Sequence, residues 1–207
     1  FVRNKVINGN MVIDQRNAGA SVSTPTTGPN VYTVDRWCYN VTQASKFTVQ
    51  QNAGSVTPPA GFSNYLGITS SSAYTVTSGD YFMICQRIEG YNMADLAWGT
   101  ANAKTVTVSF WTRSSLTGTF NGVMQNDAGD RSYIFTYTIS SANTWEYKTV
   151  NIPGYTGQAL DSLTNGGALV LEWQLGAGSS VSTSPGSWYG GSTIYRSATG
   201  ATNIMGT

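Results

Sequence analysis

The chain of 207 residues carries few charges, 10% of the total, balanced to a formal net charge of +1, and it has no histidine. That leaves no basic field for nucleic acid or anionic lipid and no apolar run near the ~18 residues that cross a bilayer. It also leaves no histidine-based nucleophile or zinc centre. Ser, Thr, Asn, Gly and Tyr are abundant instead, and β-branched and aromatic residues outnumber strong helix formers. Such a composition suits an all-β protein with a hydroxyl-rich surface, as in many extracellular and virion proteins.

In chain order, residues 4–13 place Ile7, Met11 and Ile13 on one face at period two, with Gly9 marking a bulge or a close backbone approach. Residues 14–30 form a polar loop containing Pro25 and Pro29. Strands are predicted over residues 32–41, 46–50 (Phe47 and Val49 inward) and 65–69, with a turn at 54–61 around Pro58 and Pro59. Residues 81–88 are apolar on both faces, as a strand covered on two sides would be. Residues 92–98 break the alternation, and Asn92 and Asp95 suit one or two helical turns. Residues 106–113, Val-Thr-Val-Ser-Phe-Trp-Thr-Arg, show the cleanest alternation of the chain, and we expect them to be the central strand.

Further strands are expected at residues 118–125, 132–139, 145–152 and 169–175. A tight acidic turn sits at 127–130 around Gly129. The strands at 132–139 and 145–152 are expected to pair as a hairpin. Residues 176–191 read as a Gly/Ser-rich loop around Trp188 and Tyr189. Ten or more short strands at this spacing predict one antiparallel β-sandwich domain of jelly-roll type over residues 1–207, with one short helical turn. Cys38 and Cys85 are the only cysteines. One disulfide is open to them, but both lie in strand-like apolar runs, where free cysteine serves as a small hydrophobe.

Ten carboxylates could supply a glycosidase pair, and Glu89, Glu146 and Glu172 are the candidates. Glu146 and Glu172 lie on the outward phase of their strands, and Glu89 follows Arg87, so solvated or ion-paired surface acids account for all three. Asn126, Asp127 and Asp130 resemble half of a calcium loop, but the twelve-residue spacing and closing Glu are missing, so a plain turn is expected. Trp37, Trp111 and Trp173 lie within strands and Trp98 ends the helical turn, which marks all four as core. Trp188, Tyr189 and Tyr155 lie in loops. They are the candidate ligand-binding residues, because exposed aromatic rings stack on the C–H faces of sugars. No catalytic residue, metal or cofactor is implied. Asn40 opens an Asn-x-Thr triplet, which matters only where glycosylation occurs.

Several blocks resemble a module of bacteriophage tail-fibre and related virion proteins. They are Asn-Lys-Val-Ile-Asn-Gly-Asn-Met-Val-Ile-Asp-Gln-Arg-Asn-Ala-Gly at 4–19 and Tyr-Thr-Val-Asp-Arg-Trp at 32–37. Gln-Arg-Ile-Glu-Gly-Tyr at 86–91, residues 98–113, Asp-Arg-Ser-Tyr at 130–133 and Asn-Thr-Trp-Glu-Tyr-Lys-Thr-Val-Asn-Ile-Pro-Gly at 143–154 resemble its middle, and 201–205 its late segment. The resemblance implies a jelly-roll, carbohydrate-binding-module-like domain carried on a virion, often on trimeric fibres, with no catalytic residues. It therefore implies attachment to host surface polysaccharide, contacts with other virion subunits and a homotrimer, without nucleic acid or membrane insertion. The alternatives are a structural virion protein, such as a capsid decoration or head fibre, and a polysaccharide depolymerase. Members of that family continue into a further strand, and this chain opens on Phe1 without Met, so we expect a piece of a longer protein lacking its final strand.

Overall fold

The computed structural model describes residues 3–24 and 26–206. Phe1 and Thr207, on which the expectation of a longer chain rests, and Pro25 of the first loop lie outside the described residues. In order, the strands are β1 (Val22–Ser23), β2 (Gly28–Tyr32), β3 (Cys38–Val41), β4 (Phe47–Gln51), β5 (Leu66–Ser70) and β6 (Tyr81–Glu89). A single turn of helix, α1 (Gly90–Met93), runs into a 3-10 turn at Ala94–Leu96. Then come β7 (Val106–Thr112), β8 (Gly118–Asn126), β9 (Arg131–Ile139), β10 (Glu146–Ile152) and β11 (Gly167–Ala177). The short strands β12 (Ser182–Thr183), β13 (Trp188–Gly190) and β14 (Ser197–Ala198) follow.

Seven strands form one antiparallel sheet in the order β13-β9-β8-β11-β6-β3-β2. Two smaller antiparallel sheets, β1-β4-β5 and β10-β7, pack on its inner face. Phe47 and Val49 of β4 meet Tyr39, Val41, Phe82, Ile84 and Leu175 of the large sheet. Val108 of β7 and Ile152 of β10 meet Met124, Tyr133, Phe135, Leu169 and Leu171. Trp173 lies at the seam between the two clusters, its ring 5.6 Å from that of Trp37 and 5.4 Å from that of Phe110. The fold is thus all-β, with antiparallel sheets packed as a sandwich and one short helix, as the composition implied.

The central strand is not the one expected. β11 holds that place, between β8 and β6, while among the described residues β7 pairs only with β10. A strand that alternates cleanly has one face in the core and one in solvent. A strand at the middle of a doubly covered sheet reads as a continuous apolar run, as Ala168–Leu171 does. The outer face of the large sheet is covered in turn by the C-terminal segment, where Ala198, Tyr189, Tyr195 and Ala201 pack on Val123 and Ile134.

Four local expectations are also corrected. Residues 4–13 form turns rather than a strand, with Ile7 and Ile13 exposed and, of the three residues expected inward, Met11 alone against the core, where Val6 joins it. Their alternation is too short and too interrupted by Asn and Gly to hold a ladder. The strand expected at 32–41 is split. A tight turn closed by the Trp37 N–H on the Val34 carbonyl, with Arg36 at positive φ, folds β2 back on β3. Helix α1 starts at Gly90, so Glu89 rather than Asn92 holds the cap position.

The predicted hairpin does not form either, because β9 pairs with β8 and β13, while β10 pairs in full register with β7. The connection at 140–145 therefore changes layers. Glu146 fixes that corner by accepting the N–H groups of Ser140 and Ser141, each at 2.8 Å. Gly122, on the inner face of β8, leaves room for the Phe135 ring, which a β-carbon would strike.

Candidate functional site

The three candidate carboxylates are each tied to a different cation on a different element. Glu89, at the end of β6, accepts a 2.6 Å hydrogen bond from Arg36 rather than pairing with Arg87, whose guanidinium meets Asp127. Partial burial is the largest single influence and pushes the Glu89 carboxyl up, but the hydrogen bond and charge of Arg36, its own backbone N–H and the Asn92 amide together outweigh it and the net shift is downward. Glu146 pairs with Lys148 at 2.6 Å, and this contact together with the Ser141 and Ser140 N–H groups lowers its carboxyl.

Glu172 departs most from expectation. The outward phase of β11 faces the C-terminal cover, not water, and Glu172 is 1% exposed. Burial raises its carboxyl to about 7 against the pull of Arg196, whose guanidinium lies 3.3 Å away. Among the described residues its Oε2 has no hydrogen-bond partner, nor do the amide atoms of Gln174 or Oδ1 of Asn40 on the same outer face. Arg196 also contacts Gln125 at 3.4 Å and covers the Tyr81 ring.

The segment at 126–130 is a turn closed by its own side chains. Asn126 Oδ1 accepts the N–H groups of Asp130 and Arg131 at 3.0 and 2.9 Å, and its amide donates to Asp130 and Asp161. Asp161 also accepts the Ala128 N–H. Among the described residues no group of three or more His, Cys, Asp or Glu is gathered as a metal site.

Of the predicted ligand-binding aromatics, the structure brings two together and separates the third. Trp188 and Tyr189 occupy a strand, β13, rather than a loop, and so point to opposite faces of the sheet. Trp188 lies 5.1 Å from Tyr155 and 5.4 Å from the buried Trp98, and its indole N–H donates to the Pro153 carbonyl. These rings back a shallow depression rimmed by Arg131 and Gln158, which hydrogen-bond each other. Tyr189 stacks edge-on to Tyr195 on the outer face and donates to the Ser184 carbonyl. All three are half-buried.

One aromatic pair was missed. Trp37 and Trp98 are core and Trp173 packs at the seam as expected, but Trp111 is 38% exposed and stands directly opposite Tyr147, which is 56% exposed. Their rings are 5.4 Å apart on the solvent side of the β7–β10 ribbon. The same face continues with the opposed pairs Ser109–Thr149 and Thr107–Asn151, all exposed and uncharged, the last joined by a 2.8 Å hydrogen bond. The signal was present in the phase of Trp111, which opposes that of Val106, Val108 and Phe110, but Tyr147 could be placed beside it only once β10 was known to pair with β7. The ribbon presents an aromatic platform followed by hydroxyl and amide groups, a surface able to stack on an uncharged sugar and hydrogen-bond its hydroxyls.

No family model matches the chain, and no curated protein matches it.

Proposed function

We propose that this chain is a virion adhesion module of the tail-fibre or receptor-binding type, which attaches without catalysis to glycans of the host surface. The observation that carries the reading is the Trp111–Tyr147 pair, two exposed aromatic rings at the head of a neutral hydroxyl and amide ladder. Exposed aromatics in soluble proteins mark binding surfaces when they cluster. The ordered blocks that resemble the phage module support the same reading, and the jelly-roll connectivity and homotrimeric state are part of this proposal. Trp188 and Tyr155, over the depression with Arg131, are the second candidate contact; Tyr189 faces away from them.

The structural-protein alternative, a capsid decoration or head fibre, is favoured by one observation: Ile7, Val12 and Ile13 are all exposed on the N-terminal turns, which suits burial against another subunit.

The test is binding of the purified chain to immobilised bacterial surface polysaccharides and to intact cells before and after the polysaccharide is stripped. Wild-type binding should be lost on stripping and fall at least about tenfold in Trp111→Ala or Tyr147→Ala, a loss of about 1.4 kcal/mol, with thermal stability little changed. Loss confined to Trp188→Ala and Tyr155→Ala would move the contact to the depression. No binding to any polysaccharide would favour the structural reading. Polysaccharide cleavage lost in Glu89→Gln, Glu146→Gln or Glu172→Gln would instead establish a depolymerase.

A further inference from the structure

Cys38 and Cys85 stand directly opposite each other on the adjacent strands β3 and β6. Both are thiols, 0% and 2% exposed, and their Sγ atoms lie 2.7 Å apart. They form a small cluster with Val170 on the outer face of the large sheet. Directly opposed residues of an antiparallel pair have Cα atoms about 4.5–5.5 Å apart, inside the roughly 4.4–6.8 Å that a disulfide spans. Closing the bond therefore asks for no backbone displacement. Neither strand is an edge, since β2 flanks β3 and β11 flanks β6.

We propose that Cys38 and Cys85 form a covalent cross-strand staple, closed by a low-molecular-weight disulfide when the chain folds in an oxidising medium. One cysteine thiolate attacks the small disulfide, forming a mixed disulfide and releasing one small thiol. The thiolate of the other cysteine then attacks the protein sulfur and releases the second. The two cysteines lose two protons and two electrons, and the oxidant is reduced to two thiols.

The timing follows from burial. The hydrogen bond between the two thiols and their removal from water raise Cys85 well above the ordinary thiol range. Glu172 faces Cys85 from the neighbouring strand and opposes thiolate further, while Arg87 partly offsets it. Exchange depends on the thiolate, so oxidation of the folded protein is slow and closure accompanies folding. The cysteines are 47 positions apart in sequence, and the loop they close contains β4 and β5, so the staple restricts a large part of the unfolded chain.

The experiment compares the full chain refolded from denaturant with reduced and oxidised glutathione against the chain refolded in excess reductant. Each sample is then unfolded, alkylated and weighed intact. The oxidised sample should take up no alkylating reagent, yield a linked Cys38–Cys85 peptide on proteolysis, and melt roughly 10 °C above the reduced one. Adding oxidised glutathione to the folded, reduced protein should close the bond far more slowly. In Cys38→Ala/Cys85→Ala the melting temperature should not respond to redox conditions. Two alkylated cysteines after oxidative refolding, a cross-linked dimer, or a disulfide that leaves the melting temperature unchanged or lower would each overturn the proposal.

Discussion

Replacing Glu172 by Gln should remove a large part of the pH dependence of stability. The folded carboxyl titrates near 7 because it is buried against β8 and the C-terminal cover, whereas the same group unfolded titrates near its ordinary 4.5. The folded state therefore holds a proton that the unfolded state has already released between those two values. Stability from this group is fully present below about pH 4.5 and is lost as pH rises through 7. At 1.36 kcal/mol per pH unit the loss amounts to about 3 kcal/mol, or roughly 6–12 °C in melting temperature for a chain of this length. Gln keeps the shape of the protonated acid and cannot ionise, so the variant should lack this slope. The assay is urea unfolding of both proteins from pH 4 to pH 8. The wild type should lose about 3 kcal/mol relative to Glu172→Gln across that range. Parallel pH profiles would refute the burial argument. A wild type that gains on the variant as pH rises would show that attraction to Arg196 outweighs desolvation.

Asp80 should behave in the opposite sense. Burial pushes its carboxyl up, but hydrogen bonds from Thr77, Thr42 and Tyr74 overcome that and hold it well below the usual carboxylate range. Its contribution is fully present above the unfolded value near 3.8 and is lost progressively as pH falls from there through the lowered folded value. Asp80→Asn should cost roughly 2–3 kcal/mol at neutral pH, and the cost should shrink steadily as pH falls from about 4 toward about 2, measured by denaturant unfolding. Gly122→Ala should destabilise by about 1–3 kcal/mol, because the new methyl meets the Phe135 ring and the Glu172 carbonyl; a neutral melting temperature would show that the inner face yields there.

Composition and period decided the fold class. Few charges, many β-branched and aromatic residues and repeated turn signals leave no other class able to bury this chain, and the inward face of β4 and the double covering of β6 were legible in the sequence. Strand partners were not. The alternation of residues 106–113 says which side of β7 is wet, yet nothing local says that its neighbour is β10, since pairing depends on which layer the chain enters after the corner at Glu146. The fate of Glu172 was hidden for the same reason: period two separates two faces, and only the tertiary structure decides whether the second face meets water or, as here, the returning C-terminal segment with Arg196. Cys38 and Cys85 could be placed in strands from the sequence, but their meeting depends on β3 and β6 pairing in one register, and register between strands so far apart in the chain is set by the core as a whole.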